Sequence, residues 1–464
     1  MHIRFGTDGV RGLANQALTV ELALAIGRAA VRVFPSASVV IGRDTRRSGD
    51  MLELAVAAGV CAEGSDAVLM GVTPTPAVAA ASAREMVTGV VISASHNAFA
   101  DNGIKLFAPG GRKLSDEEQS AVEAIIAKLL QPGIHSGPVG AAVGIVRHDA
   151  VVAPPADDEL ADDELAASVP HKNRSELYLD DVAAALGDVS LAGLRVVVDC
   201  ANGANSQLAP RLLRRLDARV DVIGDEPDGL NINAGFGSTD IGALSARVVE
   251  TGADLGIAFD GDADRLIAVD HTGAAVDGDH IIALCALDLA ARRKLRSNTV
   301  VVTVMSNLGF FKAMEKAGIE VVSTPVGDRN VLEALAAGGY SLGGEQSGHI
   351  IFSDVSTTGD GLLAAAMLLD LVKRSGRTLA ECSAAAMTRL PQVLLNVPVA
   401  ADAAGAVERL AAQIAEAEGE LGSEGRILVR ASGTEPLVRV MVEATDGTVA
   451  KSVATRLAEN LGRI

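Results

Sequence analysis

The run Val87-Thr88-Gly89-Val90-Val91-Ile92, then Ser93-Ala94-Ser95-His96-Asn97-Ala98-Phe99-Ala100-Asp101-Asn102-Gly103, then Ile104-Lys105-Leu106-Phe107, holds the plan of the molecule in miniature. The Val/Ile-rich opening reads as a buried strand, the polar middle as a loop at its carboxyl end, and 104–107 as a second short strand. The same unit recurs outward in both directions. Stretches 39–41, 68–70, 195–199, 255–259, 299–305 and 321–323 read as further strands, with Ala/Leu-rich helices at 21–33 and 51–62 between the early ones. Such alternation implies α/β layers with parallel or mixed sheets, whose functional loops lie beyond the carboxyl ends of the strands.

Composition narrows the class. The chain has 464 residues, 49% of them apolar and 21% charged, which excludes disorder and fits three or four domains. Aromatics are only 2%, with no Trp, so the cores must be aliphatic and no base-stacking platform is available. A net charge of −19 opposes a phosphate backbone, so no nucleic-acid partner is expected. The N-terminus lacks a signal peptide, and no apolar run is long enough to span a membrane, so a cytoplasmic protein is expected. Cys61, Cys200, Cys285 and Cys382 are far apart, and the expectation is reduced, buried thiols rather than zinc or disulfides.

One segment breaks the rhythm. After Pro154-Pro155 the five residues Ala-Asp-Asp-Glu-Leu occur twice in tandem, at 156–160 and 161–165, which reads as a solvated acidic surface segment near a domain junction. Further junctions are expected just before Asp260 and near Lys373–Gly376. The resulting domains are 1–153 with the serine loop, 154–258, 259–372 with the acidic and hydroxyl-reading loops, and 373–464.

Four loops carry chemistry. In the first, Ser95 sits on a sharp polar turn and is expected to be exposed, with Ser93 mattering far less. No GxSxG elbow exists, so this is not a Ser–His–acid hydrolase. The second, Asp260-Gly261-Asp262-Ala263-Asp264-Arg265, follows an apolar strand and can converge three carboxylates on one hard cation, most naturally Mg²⁺. It is not an EF-hand, since the sixth position is Arg265 and the twelfth His271. The third, Gly343-Gly344-Glu345-Gln346-Ser347-Gly348-His349, offers a carboxylate, an amide, a hydroxyl and an imidazole, a set suited to sugar hydroxyls. The fourth, Arg430-Ala431-Ser432-Gly433-Thr434-Glu435-Pro436 with Arg439 beyond it, reads as an anion cradle for a phosphate monoester. No Gly-Lys pair exists, which excludes a P-loop.

A serine loop, a metal loop, a hydroxyl-reading loop and a phosphate cradle in this order resemble the α-D-phosphohexomutase superfamily, and within it the bacterial phosphoglucosamine mutase branch. Phe5–Gly12, Ser93–Lys105, Asp260–Arg265, Thr324–Arg329, Gly344–His349 and Arg430–Pro436 carry the likeness, which runs nearly end to end. Gln346 is similar to the phosphoglucosamine branch, where phosphomannomutase/phosphoglucomutase relatives typically have Met. Ala98 departs from the pattern, which usually has Pro after His-Asn.

The resemblance implies four domains, three of them related α/β domains with mixed sheets and the last a smaller α+β domain, around an active site in a central cleft. It implies one Mg²⁺ per chain held by Asp260, Asp262, Asp264 and Ser95, a phosphoserine at Ser95, and a bisphosphorylated sugar as activator. Arg11, Lys105 and His349 would stand around the acid/base chemistry. Glu345, Ser347, Arg265, Arg430, Ser432, Gly433, Thr434 and Arg439 would bind the phosphosugar. The implied reaction interconverts glucosamine 6-phosphate and glucosamine 1-phosphate, by a monomer or homodimer. The alternatives are a phosphomannomutase/phosphoglucomutase, or a non-catalytic phosphosugar-binding protein on the same fold.

Overall fold

The computed structural model describes residues 9–131, 142–149, 173–399, 403–431 and 437–462. The acidic repeat at 156–165 lies outside the described residues. Among the described residues, four sheets account for the strands.

The first is mixed, in the order Val10–Leu13, Asp101–Ala108, Thr88–Ile92, Ser38–Arg43, Asp66–Val72, Val146–His148, with Arg112–Lys113 joined to Asp101–Ala108. The three pairings made by Ser38–Arg43 and Asp66–Val72 are parallel, while Asp101–Ala108 returns antiparallel to Thr88–Ile92. Helix Val20–Val33 starts at Thr19, whose hydroxyl accepts Leu22 N at 3.3 Å, and turns Leu22, Ala25, Ile26 and Ala29 inward at helical spacing. With Val39, Ile41, Leu52, Val56, Ile92 and Ile104 they form an aliphatic core, as the scarcity of aromatics requires.

The second sheet runs Ala275–Val276, Leu266–Asp270, Leu255–Phe259, Arg195–Asp199, Arg219–Ile223. Phe259 pairs with Leu266 across an antiparallel turn, so the chain does not change sheets at Asp260, where the sequence suggested a junction. The acidic loop hangs from the second sheet. The third sheet is Glu320–Thr324, Thr299–Thr303, Leu342–Gly344, Ile350–Phe352. The fourth is wholly antiparallel, Gln392–Pro398, Leu437–Ala444, Gly425–Ala431, and packs with helix Gly447–Leu461 on a core of Leu410, Val438, Val440, Val442 and Leu457.

The described residues fall into two compact units, 1–304 with 322–383, and 305–321 with 384–464. The chain thus leaves the first unit after Ser383, beyond the expected Lys373–Gly376, because helix Leu379–Ala386 begins in the first unit. All four cysteines are free and buried. Among the described residues no helix is long and apolar enough to cross a membrane.

Candidate active site

The loops that the sequence singled out at Ser95, Asp260 and Glu345 come together within the first unit. Thr88–Ile92 ends at Ser93, and Lys105 stands on the returning strand opposite Val91. Ser95 Oγ donates to Asp260 Oδ2 at 2.5 Å. Lys105 Nζ donates to Asp262 Oδ2 at 2.6 Å and lies 3.5 Å from Asp264 Oδ2. Thr75 Oγ1 also donates to Asp262 Oδ2, at 2.6 Å.

Ser95 is not exposed as expected: it is 1% accessible and adopts φ 55°. Ser, Asn and Gly mark a turn, but a turn can be covered by another part of the chain. Here the acidic loop covers it. Gly261 lies so close that a Cβ there would come within 2.6 Å of Ser95 O. Ser93 is not peripheral either. It is fully buried, donates through Oγ to Asp44 Oδ2 at 2.5 Å, and accepts Ser95 N at 2.9 Å. The left-handed conformation of Ser95 costs on the order of 1–2 kcal/mol, so such contacts must hold it.

Asp260, Asp262 and Asp264 are all buried, and an oxygen from each lies within 4.8 Å of the others. Burial, with repulsion from Asp264 and Asp262, pushes the Asp260 carboxyl well above the ordinary range. Burial also opposes ionisation of Asp264, yet Lys105, His349 and Arg265 outweigh it and hold that carboxyl well below. Asp262 Oδ1 and Asp264 Oδ1 are buried with no hydrogen-bond donor. Converging hard oxygens, two of them lacking donors, fit a metal ion bound through carboxylates.

The Glu345 loop joins Leu342–Gly344 to Ile350–Phe352. Gly348 has φ 92°, and a Cβ there would sit 2.2 Å from Leu266 O. Only glycine lets this loop lie against the strand after the acidic loop, where Leu266 N donates to Gly348 O at 2.9 Å and Arg265 bridges to His349. His349 is buried between two carboxylates, Nδ1 3.7 Å from Asp264 Oδ1 and Nε2 3.8 Å from Asp328 Oδ2. Burial lowers its basicity, but the two carboxylates prevail and raise it. Gly359 N donates to His349 Nε2 at 3.2 Å. Glu345 Oε1 accepts Gly327 N at 3.0 Å, and Ser347, exposed, lies 3.5 Å from Glu345 Oε2. Half-buried Arg265 keeps its charge: burial opposes it, and Asp260, Asp264 and Glu345 more than compensate. Arg11 is half-buried on Val10–Leu13, directly opposite Gly103 at the end of the serine loop.

In the terminal unit, Arg430 and Arg439 face each other across the antiparallel pair of strands. Burial, and then the neighbouring Arg439, lowers the pKa of Arg430. Like charges directly opposite are unfavourable, so the pair suits a bound anion. Ser432, Gly433 and Thr434 lie outside the described residues.

Several supporting residues escaped the sequence reading. Asp44 and Arg46 had a signal, a charged run Asp44-Thr45-Arg46-Arg47 directly after strand Ser38–Arg43. Thr75 sits in the Pro-rich turn after Asp66–Val72. Asp328, which backs His349, lies in the Thr324–Arg329 motif, but its ion-pair partner Lys113, like Asn233, had none.

Four family models match in order: phosphoglucomutase/phosphomannomutase alpha/beta/alpha domain I over 2–132, domain II over 176–273, domain III over 277–390 and the C-terminal domain over 394–460. A phosphoglucosamine mutase of Frankia casuarinae is 53% identical, over 98% of this chain and 97% of its own. A phosphoglucomutase/phosphomannomutase family structure from Burkholderia thailandensis superposes with TM-score 0.77 at 23% identity, covering 98% of this chain and 97% of that one. The Aspergillus fumigatus N-acetylphosphoglucosamine mutase, solved in complex with GlcNAc-6P and magnesium, gives 0.66 at 20% identity, covering 99% and 96%. With its architecture and all four domain models in agreement, the chain belongs to the α-D-phosphohexomutase family, in the branch of the phosphoglucosamine mutases.

Proposed function

We propose that the chain is an isomerase interconverting glucosamine 6-phosphate and glucosamine 1-phosphate, with Ser95 as the phosphoryl carrier. The observation that carries the reading is Ser95 Oγ at 2.5 Å from Asp260 Oδ2, on the edge of three buried carboxylates. Its likeness to relatives named phosphoglucosamine mutase selects the sugar.

Phosphoserine 95 gives its phosphoryl group to the free 1-hydroxyl of glucosamine 6-phosphate. The O–P bond to Ser95 breaks as one to the sugar 1-oxygen forms, the sugar proton passes to a base, and an acid protonates the departing Ser95 oxygen. The 1,6-bisphosphate then turns, and the Ser95 oxygen takes the 6-phosphoryl group, giving up its proton. The 6-O–P bond breaks and the 6-oxygen is protonated, which releases glucosamine 1-phosphate. A bisphosphorylated sugar would recharge any enzyme left unphosphorylated. Phosphoryl transfer asks for positioning and charge neutralisation more than covalent assistance. Asp260, Asp262, Asp264 and a phosphoserine oxygen would hold one Mg²⁺, which supplies neutralisation of the phosphoryl charge.

Lys105, with Nζ 2.6 Å from Asp262 Oδ2, places a cation beside the transferring group. Arg11 and His349 stand with it around the proton transfer. Arg265, Glu345 and Ser347 would bind the sugar, and Arg430, Ser432, Gly433, Thr434 and Arg439, in the terminal unit, would cradle a phosphate monoester.

The test is a substrate panel on phosphorylated, Mg²⁺-loaded protein with a trace of bisphosphate. Turnover of glucosamine 6-phosphate should exceed that of glucose and mannose 6-phosphates. Preference for either hexose phosphate would make it a phosphomannomutase/phosphoglucomutase, and no turnover of any would leave a binding protein.

A further inference from the structure

Arg46 is 1% accessible and heads the fully buried side chains by size. A guanidinium has five donors in a fixed fork and stays charged, so burying one demands acceptors on every side. Asp44 answers for one side only: its Oδ2 accepts Arg46 Nε at 2.8 Å. The rest of the fork is spent on the main chain of the serine loop. Nη2 donates to Ser95 O at 2.9 Å and Asn97 O at 2.8 Å, and Nη1 to Asp101 O at 3.0 Å and to Ala98 O. One side chain thereby fastens four carbonyls of a single loop. Asn233 Nδ2 doubles the grip on two of them, Ser95 O at 2.9 Å and Asn97 O at 3.0 Å. The residue so gripped is the one with φ 55° and its hydroxyl on Asp260.

We propose that Arg46 is a positioning residue for the phosphoryl transfer, holding the carbonyls from Ser95 to Asp101 so that Ser95 keeps its left-handed conformation and its aim at the acidic loop; this rests on Ser95 being the phosphoryl carrier. A loop of small polar residues has many conformers of similar energy. Its nucleophile must return to one position after each of two transfers per turnover. Six hydrogen bonds from Arg46 and Asn233 to main-chain oxygens enforce that position independently of side-chain identity in the loop.

Arg46→Lys tests it, because an ammonium keeps the charge beside Asp44 but cannot span four carbonyls. Wild type and variant are dephosphorylated, then given Mg²⁺ and a ³²P-labelled hexose 1,6-bisphosphate, and label on Ser95 is timed alongside turnover. The rate of labelling and kcat should each fall about thirtyfold or more per folded molecule, while KM for glucosamine 6-phosphate stays within about threefold. Wild-type labelling and kcat in the folded variant would overturn the proposal, as would a loss that only tracks the unfolded fraction.

Should Arg46→Lys not fold, Asn233→Gly replaces it, since glycine accepts the φ of 58° at that position and leaves no buried charge. It should lower both rates about fivefold, and unchanged rates would again refute the idea. If wild type takes no label on Ser95, the functional reading fails, and the role of Arg46 with it.

Discussion

Replacing Ser93 with alanine deletes one oxygen from the floor of the serine loop. That oxygen donates to Asp44 Oδ2 at 2.5 Å and accepts Ser95 N at 2.9 Å, both with no solvent at hand. A hydrogen bond to a charged group is worth about 1.5–3 kcal/mol and a neutral one about 0.5–1.5 kcal/mol. The variant also orphans Ser95 N, while Asp44, whose carboxyl burial already pushes up, keeps Arg46 but loses a donor that stabilises its charge. The loss is roughly 2–4 kcal/mol in all. Some of it lowers global stability, and some repopulates the loop with Ser95 away from Asp260. If half takes the second route, kcat falls about tenfold, since about 1.4 kcal/mol is one decade.

The assay is kcat of the phosphorylated, Mg²⁺-loaded variant beside its urea midpoint. Thr88→Val is the control: it lies on the strand leading to the same loop, and its buried Oγ1 has no hydrogen-bond partner to lose. Thr88→Val should leave both readouts near wild type. A Ser93→Ala enzyme with unaltered kcat and midpoint would show that Ser95 is held by something other than the Ser93 hydroxyl.

Two further outcomes follow from the carboxylates. Because phosphorylation adds an anionic oxygen beside the three Asp residues, Mg²⁺ should raise the melting midpoint more in the phosphorylated than in the dephosphorylated protein, and Asp262→Asn should shrink both shifts; equal shifts in the two forms would remove Ser95 from the metal shell. Burial raises Asp360 to about 6, against help from Leu363 N and Tyr178. Its folded value therefore exceeds its unfolded one, the folded state holds the extra proton, and this group's contribution falls as pH rises from about 4 to 6. Asp360→Asn, which keeps an oxygen for Leu363 N at 2.9 Å and Tyr178 Oη at 2.7 Å, should gain on wild type by up to about 3 kcal/mol across that window, read as the difference in urea midpoints; a pH-independent difference would refute it.

The legible parts of this molecule were those in which local pattern and final environment agree. Strands Leu255–Phe259 and Ile350–Phe352, and Val196–Val198 within Arg195–Asp199, are the apolar runs themselves and are buried, so period and composition sufficed. The three Asp residues announced themselves because carboxylates two apart in a tight loop are unfavourable without a partner. Ser95 was found for its residue type and place after a strand, but its burial was not, since the cover comes from Gly261, 166 positions away in the chain. The junction before Asp260 failed for a related reason: a chemically loaded turn resembles a boundary, whereas only the Phe259–Leu266 pairing shows that the strand folds back on itself. Arg46 stayed hidden because its ligands are carbonyl oxygens, which every residue carries and no sequence distinguishes.

Charge balance explains why this site leaves some of its own oxygens without donors. Asp260, Asp262 and Asp264 bring three carboxylates into a buried space, faced by Lys105, by Arg265 and, beside Asp264, by His349. The Lys105 ammonium is committed to Asp262 Oδ2, and Arg265 offers Asp260 Oδ1 its main-chain N at 3.2 Å. Burial and acidic neighbours press Asp260 toward its neutral form, which lightens the negative charge of the cluster. On the proposed reading, a phosphoryl group on Ser95 would add about −1.5 to −2 charges, more than a single side-chain cation can offset. A divalent cation held by the three carboxylates, two of whose oxygens lack donors, would offset that charge. Filling those positions with protein donors would stabilise the resting fold, but on the proposed reaction would leave a phosphorylated Ser95 with uncompensated buried charge. The orphaned oxygens are what that proposal requires of the site.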